Sequence, residues 1–218
     1  MTFSLLGLLG GTFDPIHKGH LFIVNELANK FPFKEIQLIP CGHPPHRDAP
    51  IASPADRIEM IKRAIIHLPH LKINDIEIKR KGFSYTIDTL KSLRVSFPRQ
   101  SLCFIMATDA FLHFNQWNRY QSILRYCHLI VVNRPDYPPL LKEKWLSKLL
   151  LQHQTNKEED LNHAQSGKII IQHLLPIPIN ATEIRYYLKE GNDTAVKPLL
   201  PENVFDYIKR KHLYQSLC

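Results

Sequence analysis

Cysteine is scarce in this sequence. Its four cysteines, at positions 41, 103, 127 and 218, show no CxxC spacing, and Cys103 and Cys127 lie in apolar runs typical of strands. A disulfide framework or a cysteine-based metal site would need closely spaced pairs. We therefore expect reduced cysteines.

Long apolar runs are also missing. The stretch at residues 5–9 is far too short to span a bilayer, and no basic segment precedes it as a signal peptide would require. A hydrophobic fraction of 44% with 22% charged residues is ordinary for a chain that buries a core. We expect a cytoplasmic protein without membrane contact, folded as a single domain over residues 1–218.

Extended basic runs are missing as well, although 28 Lys and Arg against 20 Asp and Glu leave a formal charge of +8. Such a charge suits either a nucleic acid or a small phosphate-rich substrate. The densest basic run, residues 79–81, is only three residues long, and the other cations are scattered. This distribution argues against a nucleic-acid partner.

Short strand-like runs alternate with helical patterns along the chain. Strands are predicted at residues 5–9, 35–40, 71–78, 102–106, 128–132 and 168–174. Helices are predicted at residues 19–30, 54–67, 86–97, 118–125, 140–151, 182–189 and 201–211, with Ser53 as cap and Pro54 as first residue of the second helix. Residues 152–167 are predicted to form a polar, mobile linker. This alternation predicts an α/β fold, a Rossmann-like open parallel sheet with helices on both faces and a small C-terminal helical portion at about 180–218.

The first segment that carries chemistry is GGTFDPIHKGH at residues 10–20, directly after the first predicted strand. In an open parallel sheet, ligands bind beyond the carboxyl ends of the strands, where loop amides and helix N-termini attract anions. Gly10 and Gly11 allow close approach to a phosphate, and Gly19 leaves room for a nucleobase or sugar. His17 and His20 are three residues apart, so both rings should lie on one side of the helix start.

Simpler interpretations of this run stay open on the residues alone. Two glycines after a strand more often form a tight turn than a phosphate cradle, and a histidine pair could belong to a zinc site. Zinc needs three or four ligands, however, and the sequence has no HExxH pattern, so we expect no metal held by side chains. It also has no GxxxxGK[ST] and no GxGxxG after the first strand, which excludes the P-loop class and disfavours a dinucleotide-dependent oxidoreductase.

The run resembles the signature of bacterial nicotinate mononucleotide adenylyltransferases, which belong to the HxGH nucleotidyltransferases together with class I aminoacyl-tRNA synthetases. The resemblance extends over nearly the whole chain. Residues 44–47 (PPHR) are similar to the PPH[KR] loop of that family, residues 84–90 (SYTIDTL) to its SYTxxTL segment, residues 111–117 to its FxxW region, and residues 182–185 (TEIR) to its TxIR motif. The resemblance implies transfer of AMP from ATP to nicotinate mononucleotide.

The resemblance also implies an ATP site. His17 and His20 would hold the α-phosphate, Thr182 and Arg185 the β- and γ-phosphates, and Asp109 a ribose hydroxyl; His17, His20 and Arg185 are the expected catalytic residues. The full expected ATP set is Gly10, Gly11, Thr12, Phe13, His17, Gly19, His20, Asp109, Thr182 and Arg185. Mg²⁺, carried with the ATP phosphates and held mostly by water, is the expected cofactor.

For the mononucleotide, the resemblance implies that His46 and Arg47 meet the phosphate, that Arg134 adds charge, and that Tyr85, Thr86 and Trp117 form the pyridine pocket. Simpler roles remain open: Arg47 and Arg134 as solvated cations, Trp117 as a core residue, and Asp109 as the cap of a helix that begins at Ala110.

Two positions depart from the pattern of the family. Ala107 stands where a glycine is usual, and Ala181 stands in a turn that is commonly rich in serine. The two methyl groups put ligand contacts with these turns in question.

Two rival functions remain. An enzyme that activates acyl groups or charges tRNA would need an anticodon-binding extension and a KMSKS-like loop, and neither is visible. A nonenzymatic nucleotide sensor on the same fold is the other rival. The sequence does not indicate an oligomeric state.

Overall fold

The computed structural model describes residues 2–45, 48–133, 143–174 and 178–215. Its strands are β1 Ser4–Gly11, β2 Phe33–Pro40, β3 Leu71–Ile73, β4 Gln100–Ala107, β5 His128–Asn133 and β6 Ile169–His173. Its helices are α1 Lys18–Lys30, α2 Pro54–Ala64, α3 Ile76–Lys79, α4 Thr86–Ser96, α5 Thr108–Leu112, α6 Tyr120–Ile123, α7 Lys144–His153, α8 Asp160–His163, α9 Ala181–Lys189, α10 Asp193–Val196 and α11 Glu202–Arg210, and a 3-10 turn spans Phe114–Gln116.

The six strands form one parallel sheet in the order β3-β2-β1-β4-β5-β6. The chain builds outward from β1 to β3 and then crosses back to β4 on the other side of β1. The strand order therefore reverses between β1 and β4, and open α/β sheets bind ligands at such a switch point. The predicted Rossmann-like parallel sheet is confirmed.

The sheet is covered on both faces, which explains why β1 is apolar along its length. Leu5 and Leu9 pack into one hydrophobic cluster together with α1, α2, α9 and α11. Leu6 and Leu8 point the other way and pack with α4, α5 and α7. Successive side chains of a strand alternate between faces, so a strand buried on both sides shows no polar alternation.

The start of α2 forms as its sequence predicts. The Ser53 hydroxyl accepts a hydrogen bond from the Asp56 backbone N–H at 3.1 Å, and Pro54 opens the helix. The helix ends at Ala64, three residues before the predicted end at residue 67.

The predicted strand at residues 71–78 is wrong beyond Ile73. Asn74 turns the chain, because its side-chain oxygen accepts from the Ile76 backbone N–H at 3.1 Å and its amide donates to Gln37 at 2.7 Å. The short helix α3 follows in place of the second half of the strand.

Three other segments differ from prediction. The helix predicted at 118–125 is reduced to α6, because Arg119 before it has a left-handed φ of 51°. The helix predicted at 140–151 is α7, displaced towards the carboxyl end, and residues 140–142 lie outside the described residues. The predicted linker at 152–167 contains the end of α7 and the helix α8, whose Leu161 is fully buried.

The predicted C-terminal helical portion is confirmed as α9, α10 and α11, with α10 unforeseen. These helices share the core of α1 and α2. Asn203 on α11 donates to the Arg63 carbonyl of α2 at 2.7 Å, and the Tyr207 hydroxyl donates to Asp56 at 2.8 Å. In the described part of the chain, Cys41, Cys103 and Cys127 are free, and no helix there has the length and apolarity to cross a membrane.

Candidate active site

The loop between β1 and α1 lies at the switch point of the sheet and brings the two predicted histidines together. His17 is the extended residue before α1, and its backbone N–H donates to Nδ1 of His20 at 3.3 Å. The two rings stack with centroids 3.7 Å apart, and the Phe13 ring meets the His20 ring edge-on at 5.1 Å. His17 is 6% exposed, so most of this ring lies inside the protein.

Gly19 leaves room for this stack. A Cβ at position 19 would lie 3.0 Å from Nδ1 of His17 and 3.5 Å from the Ile179 side chain. Glycine therefore makes room for the His17 ring, a local reason that adds to the space for a ligand expected from the sequence.

Buried polar contacts around Asp14, which is 3% exposed, hold the loop in place on its protein-facing side. Its carboxylate accepts from the backbone N–H groups of Ile51 at 2.8 Å and Ala52 at 3.0 Å, and from the Tyr214 hydroxyl at 2.7 Å. The fully buried Arg57 donates to the Thr12 carbonyl at 2.7 Å. Burial lowers the pKa of Arg57, and the nearby Asp14 charge counteracts that shift.

The TEIR segment lies on the first turns of α9, against the same loop. Asn180 caps the helix by accepting from the Glu183 backbone N–H at 2.8 Å. The Arg185 guanidinium donates to the Asp14 carbonyl at 2.7 Å and to the Thr182 hydroxyl at 3.3 Å. The cap is thus supplied by Asn180, so Ala181 does not leave the helix start without one.

A cavity of about 360 Å³ opens beside this helix. Its lining consists of Ile51, Thr182, Arg185, Tyr186, Lys189, Tyr214 and Gln215. The cavity therefore borders the contact between Arg185 and the Asp14 loop.

Asp109 lies at the carboxyl end of β4, on the other side of the switch point. The cap role considered for it is wrong, because α5 already begins at Thr108 and the residue before the helix is Ala107. Oδ1 of Asp109 is buried and has no hydrogen-bond partner in the part of the chain that the structure describes. A buried carboxylate oxygen without a donor suits a ligand hydroxyl.

Ala107 itself adopts an ordinary backbone conformation, with φ −85° and ψ 161°. Any residue takes these angles, so the alanine in place of the usual glycine causes no strain.

In the region where the sequence resemblance predicts the mononucleotide site, Ser84 connects the SYT segment to the start of the PPHR loop. Its hydroxyl oxygen accepts from the backbone N–H groups of Gly42 at 3.0 Å and His43 at 3.1 Å, and its own N–H donates to the His43 carbonyl at 2.8 Å. A Cβ at Gly42 would lie 2.3 Å from the Glu77 carbonyl, so only glycine fits there.

A buried carboxylate underlies this loop. Glu77 accepts from the Thr89 hydroxyl at 2.7 Å, and Arg80 donates to the same hydroxyl at 2.8 Å. Burial raises the pKa of Glu77, and burial together with the Glu77 charge raises the pKa of Cys41 to about 11. Cys41 is therefore a neutral thiol at pH 7.

Tyr85 precedes α4, and Thr86 is its first residue, so the backbone N–H groups of the first helical turn lie beside these two residues. Trp117 is half-buried and packs against Phe104 and Phe114, with ring centroids 6.0 and 5.6 Å away. His46, Arg47 and Arg134 lie outside the described residues.

Sequence reasoning missed Ser84, Asp14, Arg57 and Tyr214 as residues that hold the site. Ser84 and Asp14 stand inside motifs that were identified, but their partners are distant in sequence. Arg57 and Tyr214 carry no local signal.

The sequence of this chain matches a known protein family and its named members. The model of the cytidylyltransferase-like family matches residues 8–186. A protein of Coxiella burnetii named probable nicotinate-nucleotide adenylyltransferase is 58% identical over 215 residues, which are 98% of this chain and 100% of the relative. The chain belongs to the cytidylyltransferase-like family. The resemblance drawn from the motifs is thereby confirmed.

The chain is also similar to other proteins with related names. A protein of Psychromonas ingrahamii with the same name is 40% identical over 210 residues, covering 96% of this chain and 97% of the relative. Two structures of Plasmodium falciparum nicotinic acid mononucleotide adenylyltransferase, complexed with NaAD and with APC, have TM-scores of 0.76 and 0.74 at 18% identity, covering 97% of both chains. At that identity they establish the fold.

Proposed function

We infer that the chain transfers AMP from ATP to nicotinate mononucleotide, giving nicotinate adenine dinucleotide and pyrophosphate in NAD biosynthesis. The observation that carries this function is the stacked pair His17 and His20 at the switch point of the sheet, with Arg185 held against the same loop. The names of the full-length relatives supply the substrate class.

The reaction needs alignment more than a protein nucleophile. A phosphate oxygen of the mononucleotide attacks the α-phosphorus of ATP, the new P–O bond forms, and the bond to the bridging oxygen of the β-phosphate breaks. Pyrophosphate leaves with that oxygen. The attacking phosphate is already anionic at pH 7, so positive charge and positioning are the main requirements.

On the ATP side, His17 and His20 hold the α-phosphate and stabilise the charge that develops there. Arg185 and Thr182 bind the β- and γ-phosphates at the start of α9, where the helix N-terminus also attracts anions. Asp109 accepts a hydrogen bond from a ribose hydroxyl, which its unpartnered Oδ1 supports. The nucleotide is surrounded by the strand end and loop at Gly10, Gly11, Thr12 and Phe13 and by Gly19 in the first turn of α1.

On the mononucleotide side, Tyr85, Thr86 and Trp117 form the pyridine pocket. The first-turn N–H groups of α4 and the Thr86 hydroxyl are donors for the carboxylate of nicotinate. His46, Arg47 and Arg134 bind the phosphate; their role rests on the sequence resemblance.

The proposed cofactor is Mg²⁺, which would come with the ATP phosphates and be held mostly by water. The described residues contain no group of three or more His, Cys, Asp or Glu able to hold a metal ion. When bound, the ion supplies neutralisation of phosphate charge. The chain contributes the cations and helix N-terminus described above.

The remaining parts of the proposal are a single nucleotidyltransferase domain in the cytoplasm, with ATP and nicotinate mononucleotide as partners. Cys41, Cys103 and Cys127, the cysteines of the described residues, are free thiols, as expected in a reducing compartment.

The test is pyrophosphate release from MgATP with nicotinate mononucleotide, nicotinamide mononucleotide, phosphopantetheine and a panel of amino acids. We expect release with nicotinate mononucleotide, preferred over the amide by at least about tenfold in kcat/KM, because an amide N–H that faces a donor leaves buried groups unpaired at about 1 to 3 kcal/mol each. Release with amino acids only would support the synthetase-like rival. No pyrophosphate release with any of these substrates would support the nucleotide sensor.

Variants of the histidine pair make the test specific to the site. His17→Ala and His20→Ala should each lower the rate by roughly 10² to 10³ with an unchanged circular dichroism spectrum. His67→Ala, an exposed histidine beyond α2, is the matched control and should retain full activity. A rate within about threefold of wild type in both site variants would contradict the role of the pair.

A further inference from the structure

Tyr214 follows the last helix and is 8% exposed. Its φ angle of 63° lies in the left-handed region that aromatic residues rarely adopt. A residue keeps such a backbone only where surrounding contacts hold it there. The chain after α11 is therefore fixed in place at Tyr214.

The contact that fixes it is made with the loop after β1. The Tyr214 hydroxyl donates to Oδ1 of Asp14 at 2.7 Å, across 200 residues of sequence. Burial raises the pKa of Tyr214, and the Asp14 charge raises it further, so the hydroxyl stays protonated and acts as a donor. Asp14 in turn follows Phe13, which also has a left-handed φ, of 49°.

Asp14 connects the two halves of the proposed site. Its carbonyl accepts from Arg185 at 2.7 Å, on the side proposed for the triphosphate. Its carboxylate accepts from the N–H groups of Ile51 and Ala52, which follow the PPHR segment proposed for the mononucleotide. A displacement of Asp14 would therefore move the contacts for one substrate relative to those for the other.

We propose that Tyr214 is a positioning residue for adenylyl transfer, whose hydroxyl holds Asp14 and thereby aligns the loop between β1 and α1 with the segment at Ile51 and Ala52. The proposal rests on the proposed function. Each substrate keeps its own binding contacts when Asp14 shifts, but the alignment of attacking oxygen and phosphorus is lost. The loss should therefore fall on kcat more than on either KM.

Tyr207 offers a matched control. It too is a buried tyrosine of the C-terminal region whose hydroxyl donates to an aspartate carboxylate, that of Asp56 at 2.8 Å. Asp56 lies on α2 and is hydrogen-bonded to Ser53, but it is not among the hydrogen-bond partners given above for Asp14. Tyr207→Phe thus removes a hydrogen bond to Asp56, outside the site. Tyr214→Phe removes the same kind of hydrogen bond to Asp14, in the loop that carries the site.

The experiment measures kcat, the KM of each substrate and the melting temperature for wild type and both variants, with MgATP and nicotinate mononucleotide. We expect Tyr214→Phe to lower kcat about tenfold with each KM within about threefold. Tyr207→Phe should keep wild-type kinetics. Asp14→Asn, a second variant, should also lower kcat, because asparagine keeps only one side-chain oxygen, so either the Ile51 N–H or the pair Ala52 N–H and Tyr214 hydroxyl loses its acceptor.

Unchanged kcat in Tyr214→Phe would overturn the proposal, as would an equal loss in Tyr207→Phe. If Tyr214→Phe does not fold, Asp14→Asn decides, and a rise of KM without loss of kcat there would overturn the proposal. A wild-type protein that forms no dinucleotide would overturn the proposed function and this proposal with it. An active wild type with an unaffected Tyr214→Phe overturns only the positioning role.

Discussion

Replacing Ser84 with alanine tests how residues 42–43, which lead into the PPHR segment, are held in place. The Ser84 hydroxyl oxygen is the acceptor for two consecutive backbone N–H groups, those of Gly42 and His43. A buried donor without an acceptor costs about 1 to 3 kcal/mol. Gly42 is half-buried and His43 is exposed, so water replaces part of the loss. The remaining cost is about 1.5 kcal/mol, or about tenfold in an equilibrium constant.

This cost should weaken the binding of the mononucleotide and not that of ATP, because residues 42–43 lead directly into the PPHR segment. We expect Ser84→Ala to raise the KM of nicotinate mononucleotide about tenfold, with the KM of ATP within about twofold of wild type. The assay is pyrophosphate release with each substrate varied in turn, at a temperature well below the melting transition of both proteins.

Ser92→Ala, on the helix that follows Ser84, is the control, since the Ser92 hydroxyl is exposed and donates to the Asp88 carbonyl of its own helix at 3.1 Å. It should have wild-type constants. Equal rises in both KM values for Ser84→Ala, or no rise for the mononucleotide, would refute the reasoning that this serine holds the loop.

Three further predictions concern single side chains. His128 is buried, with its ring nitrogens bonded to the Ala164 carbonyl and the Lys168 N–H, and burial lowers its pKa from 6.5 to about 4. Between pH 6.5 and 4, this histidine is protonated in the unfolded chain but neutral in the folded protein. The free energy of unfolding should therefore fall by up to about 3 kcal/mol as the pH is lowered over this range. Urea unfolding at several pH values measures it, and a free energy that does not change with pH would contradict this. Arg94 donates to four carbonyls in three segments at 2.6 to 3.3 Å, so Arg94→Ala should lose about 3 kcal/mol or more of unfolding free energy; a loss below about 1 kcal/mol would count against that role. Arg185→Ala should raise the KM of ATP about tenfold more than that of the mononucleotide, whereas equal losses would reduce Arg185 to a support for the Asp14 loop.

The errors in secondary structure have a common origin. The strand predicted over 71–78 fails after Ile73 because Asn74 finds Gln37 on the neighbouring strand as a partner. The linker predicted at 152–167 carries α8 because Leu161 reaches the sheet core and Thr155 bonds to Asp160. Gln37 and the core around Leu161 lie far from these two segments in sequence, so the local pattern of residues could not indicate either contact.

What the sequence determined by itself is local. The order of strands and helices, the cap at Ser53 and the proximity of His17 to His20 follow from periodicity and from spacing within one turn, because backbone geometry alone fixes which neighbours meet. The motifs at residues 10–20 and 182–185 could be identified for the same reason, since each is contiguous.

Only the tertiary structure decided which groups hold these motifs in place. The hydroxyl of Tyr214 meets Asp14 across 200 residues, and Arg185 meets the Asp14 carbonyl across 171. Ser84 meets Gly42 across 42 residues. No local sequence pattern predicts these contacts, because they depend on the strand order of the sheet and on how α9 and α11 pack over the sheet. Both the strand order and the helix packing are determined by burial of the whole core.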